Sequence, residues 1–125
     1  MSIRPISTST LFHARHESKS ELVADWKNRY RDGEFHGETL SGSKGLKGAA
    51  LKFYESAAKQ PKDPTEVSSV DAIRDPHNGS IVVVKTLSSD AGDFMLPLKI
   101  SFAVFDAQGH QVSHGVMRDN GPHFS

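Results

Sequence analysis

The sequence predicts an α+β fold, with two main helices packed on an antiparallel sheet of at least four strands. Three observations predict it. Apolar residues recur at three- and four-residue intervals in two stretches between Ser18 and Ala58. From Val67 onward they alternate with polar residues or gather in β-branched blocks, and these blocks are separated by turn sequences. At 125 residues with no cysteine, the chain has room for one core, which packing must stabilise without disulfides or thiolate metal sites.

Residues 1–17 carry Arg4 and Arg15 among many hydroxyls and lack the apolar block of a secretory signal, so a flexible N-terminal segment is expected ahead of one α+β domain over residues 18–125. An unstructured export or transit signal would share this composition. The first helix begins at Ser18, with Ser18 or Ser20 as cap and Glu21 against the dipole; Leu22, Val23, Trp26 and Tyr30 form its apolar stripe, and Asp32-Gly33 ends it. A second helix is expected over residues 43–58, where Leu46, Ala49, Ala50, Phe53 and Ala57 recur on one side before Gln60-Pro61 stops it.

The pattern then changes to period two. A strand is expected over residues 67–74, a turn at Pro76-His77-Asn78-Gly79, and a buried strand over residues 80–87. Residues 88–93 read as a polar loop in which Asp90 and Asp93 serve the turn. Leu98, Ile100, Phe102 and Val104 then alternate with Lys99, Ser101, Ala103 and Phe105, and Ala107-Gln108-Gly109 turns into a last strand over residues 110–118. Asp119, beside Asn120-Gly121, reads as part of a turn after that strand.

Runs such as Ile81–Val84 fall far short of the roughly 18 apolar residues that suggest a membrane span, so a soluble, cytoplasmic protein with no membrane partner is expected. Residues 1–62 hold 11 Lys+Arg against 7 Asp+Glu, and residues 63–125 hold 4 against 8. The basic excess of the first half is spread along helix surface rather than clustered with aromatics, and nucleic acid is not expected as a partner.

Ser41–Ala58, read as SGSKGLKGAALKFYESAA, looks most like a functional motif. A phosphate loop needs GxxxxGK followed by Ser or Thr, so that lysine reaches the outer phosphates and the hydroxyl holds magnesium; this order is missing. The simpler reading is a corner, in which Gly42 and Gly45 turn the backbone and Ser41 or Ser43 caps the helix. There is no GxSxG elbow for a serine nucleophile either. No cofactor is expected. No metal site is expected, because His110 and His114 on a strand would lie about 13 Å apart.

His114 stands out chemically. On the last strand it alternates in phase with Val112 and Val116, which would turn its ring inward and make it a candidate pocket acid or base. His36 and Glu38 share one face of a short strand opposite Phe35 and Gly37, and are the other candidate catalytic groups. Phe53, Phe102, Val112 and Val116 are the expected pocket walls.

Phe35-His36-Gly37-Glu38, then Gly42, then Gly45-Leu46 opening a helix, then the strand pair, then Phe105-Asp106-Ala107-Gln108-Gly109-His110-Gln111-Val112 resembles the nuclear transport factor 2-like (NTF2-like) superfamily, in particular its SnoaL-like branch. The resemblance covers residues 22–119. It implies a helix-wrapped, strongly curved, cone-shaped sheet around an apolar pocket and, together with the apolar residues on both faces of the strand over residues 80–87, a homodimer formed through the outer sheet face, where Val82, Val84, Ala103 and Phe105 would be left uncovered. It also implies small-molecule binding, with proton-transfer activity of the isomerase, cyclase or dehydratase type or none, because that superfamily includes both enzymes and binding modules. The function expected is that of a pocket protein for an apolar or aromatic small molecule. The alternative is a non-catalytic protein-protein interaction module.

Overall fold

Helix α1 (Lys19–Arg29) starts at the serine the sequence marks. The Ser18 side chain accepts the Glu21 N–H at 3.2 Å, and the Glu21 carboxylate accepts the Ser18 N–H at 3.1 Å, a reciprocal capping box that satisfies two free donors. Leu22 and Trp26 are its buried residues, one turn apart. The helix ends at Arg29, and Asp32-Gly33 then forms the turn of a small hairpin, β1 (Tyr30–Arg31) with β2 (Glu34–Phe35). Both turn residues have positive φ, as the twist of a two-residue hairpin requires, and Asp-Gly supplies it at low cost.

The chain is seen in a computed structural model that describes residues 18–91 and 94–125, without the side chains of residues 90–91 and 94–96. The flexible segment expected over residues 1–17 and the turn role expected of Asp93 therefore lie outside the described residues.

After β3 (Glu38–Thr39) a glycine-bearing corner leads to α2 (Gly48–Ala58), which starts later than the periodicity suggests. Its cap is Lys47, with no side-chain hydrogen bond, so neither Ser41 nor Ser43 caps it. Leu46 is buried ahead of the helix rather than within it, which is how an apolar residue at the right interval extended the expected helix too far.

The main sheet follows, comprising β3, β4 (Glu66–Arg74), β5 (Ile81–Ala91), β6 (Phe94–Phe105), β7 (Gln111–Arg118) and β8 (Gly121–Phe124). It has six strands in sequence order, every neighbouring pair antiparallel. Two helices packed against an antiparallel sheet make this α+β, as expected. Two details differ. Residues 88–91 are not loop but the end of β5, paired to Phe94–Pro97, so the β5–β6 hairpin is longer than its polar sequence implies. Asp119 and Asn120 turn into β8, which is only four residues long and contains Pro122, a composition that hides strand character.

The helices lie on opposite faces of the sheet. On one face Trp26 of α1 packs with Phe35, Ile73, Val82, Phe102 and Val104. On the other, Leu46 and Ala50 pack with Ala72, Ile81, Val83, Ala103 and Phe105. Val82, Ala103 and Phe105 are therefore fully buried and Val84 half-buried, which corrects the expectation that these four form an uncovered face. The apolar residues on both sides of β5 and β6 reflect two helix layers; each fully buried Val or Phe contributes about 1.5–3 kcal/mol.

Polar groups secure the edges. Trp26 Nε1 donates to Ser80 Oγ at 3.0 Å, and Ser80 Oγ donates to Asn78 Oδ1 at 2.6 Å, tying α1 to the β4–β5 turn. At the free edge of β4, the Gln60 carboxamide donates to the Ser68 carbonyl at 3.0 Å and accepts the Ser68 N–H at 3.1 Å, behaving as one residue of a further strand.

Candidate functional site

A groove of about 390 Å³ opens on the α1 face, between the β1–β2 hairpin and the sheet. Its sheet side is made of Asp71 and Ile73 on β4, Val84 and Thr86 on β5, Ile100 on β6 and Met117 on β7. Cross-strand register explains the grouping: Asp71 pairs with Val84, Ile73 with Val82, and Thr86 with Ile100, so these side chains line adjoining rows of one face. The opposite wall is Gly33–Gly37, with Thr39 at the side.

The wall is anchored by aromatic packing. Phe35 is buried, with its ring edge-on to Phe102 (centroids 5.2 Å apart), Trp26 (5.9 Å) and Tyr30 (5.3 Å). Gly115 makes room for this arrangement, since a Cβ there would run into the Phe102 ring and the His123 carbonyl.

His36 lines the groove. Its Nε2 lies 3.0 Å from the Arg31 carbonyl, which can only accept; the proton is therefore on Nε2, and in the neutral ring Nδ1 is the acceptor. The Glu34 carboxylate stands 3.9 Å from the same Nε2. Asp71 is the second carboxylate of the groove, exposed in mid-strand.

His36 and Glu38 do not share a strand. The backbone leaves the small hairpin after Phe35 and joins the main sheet at Glu38, so the period-two argument breaks at His36-Gly37. Glu38 pairs in register with Arg74 and binds its guanidinium, with Nε 2.7 Å from Oε1, at the sheet edge and away from the groove lining.

His114 is exposed, against the expectation of an inward ring. The reason is a bulge: Val104 pairs with Ser113 but Phe105 with Gln111, which leaves Val112 as the extra residue and shifts it out of phase with His114. Val112 packs with the α1-side core, whereas His114 pairs with Ala103 on the other face, where α2 lies over β4, β5 and β6.

The expected pocket walls are not gathered at one place. Phe53 is on α2 with its ring 5.8 Å from Phe105; Phe102 is a fully buried core residue; Val112 and Val116 are half-buried on β7. None lines the groove. Sequence reasoning missed Asp71, Thr86 and Met117; the one visible signal was a carboxylate set among Val70, Ala72 and Ile73 in a predicted strand.

The glycine stretch turns a corner. Gly42, Gly45 and Gly48 all have positive φ, and the Gly109 carbonyl from the β6–β7 turn accepts the Ala50 N–H at 3.3 Å. That turn sits where an anion at the helix start would have to approach. Asp106 accepts the N–H groups of Gln108 and His110 at 2.9 Å each, the turn role its sequence suggests. Among the described residues no three His, Asp or Glu side chains are grouped as metal ligands, and no helix is long and apolar enough to cross a membrane.

No protein-family model matches the chain, and no curated protein and no solved structure matches it.

Proposed function

We propose that the protein binds a small molecule with an apolar or aromatic body in the groove between the β1–β2 hairpin and the sheet. The observation that carries this reading is the lining itself. Phe35, Ile73, Val84, Ile100 and Met117 offer apolar surface, and a few polar groups, His36, Asp71 and Thr86 among them, can orient a ligand. The volume of about 390 Å³ falls within the roughly 300–1,000 Å³ usual for such sites. The resemblance to SnoaL-like proteins supports the same class of ligand. Proton transfer on the ligand, if this is an enzyme, would fall to His36, whose neutral ring accepts through Nδ1.

The test is a fragment screen on the full chain, followed through the methyl signals of Ile73, Val84, Ile100 and Met117. A binder should move these signals together, and Ile100→Trp, which fills the groove from a half-buried position, should abolish the shifts while the melting temperature stays. Binding indifferent to Ile100→Trp would overturn the reading.

One observation favours a second reading, a non-catalytic interaction module or homodimer. Val67 and Leu98 are exposed, at 37% and 53%, near the β5–β6 turn end of the sheet. Sedimentation of Leu98→Ser beside the unaltered chain would separate the two: only an interaction surface loses association.

A further inference from the structure

The groove's charge narrows what it would hold. Its lining includes two carboxylates, Glu34 and Asp71, and no lysine or arginine. The cations nearby in sequence are engaged elsewhere: Arg29 is bound to Asp75 and Arg74 to Glu38. Lys85, next to Val84 on β5, pairs with Val70 and Ser101 and so belongs to the other face of the sheet. Arg31 is the cross-strand neighbour of Glu34 but forms no ion pair with it, and the group Glu34 meets is the His36 ring.

Asp71 has no hydrogen-bond or ion-pair partner among the described residues. Its neighbours on the groove floor are Ile73 on its own strand, Val84 opposite it and Thr86 diagonally, with Ile100 one strand further on, so the carboxylate is bordered largely by apolar surface that a ligand body would cover. Covering it removes water from around the charge and strengthens its attraction for an opposite one. An anionic ligand would meet two carboxylates with no lysine or arginine in the lining.

From this we infer that the groove selects an organic cation: a primary or quaternary amine on an aromatic or aliphatic body, the body on Ile73, Val84, Ile100 and Met117 and the ammonium toward Asp71 and Glu34. The inference rests on the groove being a ligand site, as proposed above.

Three probes with the same phenyl-and-two-carbon body test it: phenethylammonium, 2-phenylethanol and 3-phenylpropanoate. Each is titrated into the full chain while the Ile100 and Met117 methyl signals are followed. The ammonium should bind about tenfold more tightly than the carboxylate, with the alcohol between. Asp71→Asn should weaken the ammonium several-fold and leave the alcohol unchanged, Glu34→Gln should act in the same direction, and Asp71→Lys should invert the order. Unaltered melting temperatures would show that the variants fold. Equal affinity for all three heads, or preference for the carboxylate, would overturn cation selection and leave the groove as a site. No methyl shift with any probe at about 10 mM, a Kd weaker than the millimolar range, would overturn both.

Discussion

Arg29 and Asp75 are joined by two parallel hydrogen bonds, Nε to Oδ2 and Nη2 to Oδ1, each 3.0 Å long. The Asp75 side chain is only 4% exposed, and its Oδ1 also accepts the His77 N–H at 2.8 Å. The last turn of α1 is thereby fixed to the β4–β5 turn, and Arg29 Nη1 reaches on to the His36 carbonyl at 3.3 Å, linking the same pair to the groove wall.

Arg29→Met should destabilise the fold by about 3 kcal/mol, because it leaves a buried carboxylate without its cation. Arg29→Lys should restore only part of that, since an ammonium cannot reproduce the two-pronged contact. Denaturant unfolding gives both values. Equal stability of the unaltered and Met chains would mean that the pair is dispensable.

Phe102→Ala should cost about 3–5 kcal/mol. Phe102 is 1% exposed and its ring lies 4.9 Å from Phe124 and 5.2 Å from Phe35, so its loss opens a cavity under the groove wall. A denaturant midpoint unchanged by the substitution would contradict this packing.

Gln60→Leu should raise concentration-dependent association. The carboxamide occupies both backbone groups of Ser68 on the free edge of β4, and removing it exposes them to another chain's strand. Light scattering across a concentration series measures this; a Leu variant as monodisperse as the unaltered chain would refute it.

The Asp63 carboxyl is held below its ordinary value, first by the Thr65 hydroxyl at 2.7 Å and then by the Thr65 N–H at 2.9 Å. With the folded value depressed, whatever Asp63 adds to stability is present above its unfolded value and lost as pH falls through the folded one. Thr65→Val should move the Asp63 titration upward in a carboxyl-carbon NMR experiment. An unmoved curve would show that the hydroxyl is not the cause.

Elements with a repeating pattern were legible in the sequence. Leu22 and Trp26 mark α1 through the helical interval, because a face buried against one layer leaves a periodic trace, and the apolar run around Phe102 marks β6, which is buried between two layers. What was hidden depends on register. Val112 and His114 look in phase, and only pairing with Val104 and Phe105 creates the bulge that separates them. His36 and Glu38 look like one strand until the backbone switches pairing partners between them. The groove was illegible for a related reason: Asp71, Thr86, Ile100 and Met117 come from four strands, and no local interval records that they meet.

The connectivity of the sheet has a consequence for how the protein is made. Every strand from β3 to β8 lies beside its neighbour in sequence, so the sheet can lengthen hairpin by hairpin as the chain emerges. The helices are made first and must wait. Trp26 has no partner for its indole N–H until Ser80 is made 54 residues later, and its apolar seat on Val82 and Val104 is complete only once β6 is synthesised. Throughout that interval the side of α1 that will be buried is uncovered, making nascent-chain aggregation, rather than loss of native stability, the first penalty for slowing translation between Tyr30 and Phe105.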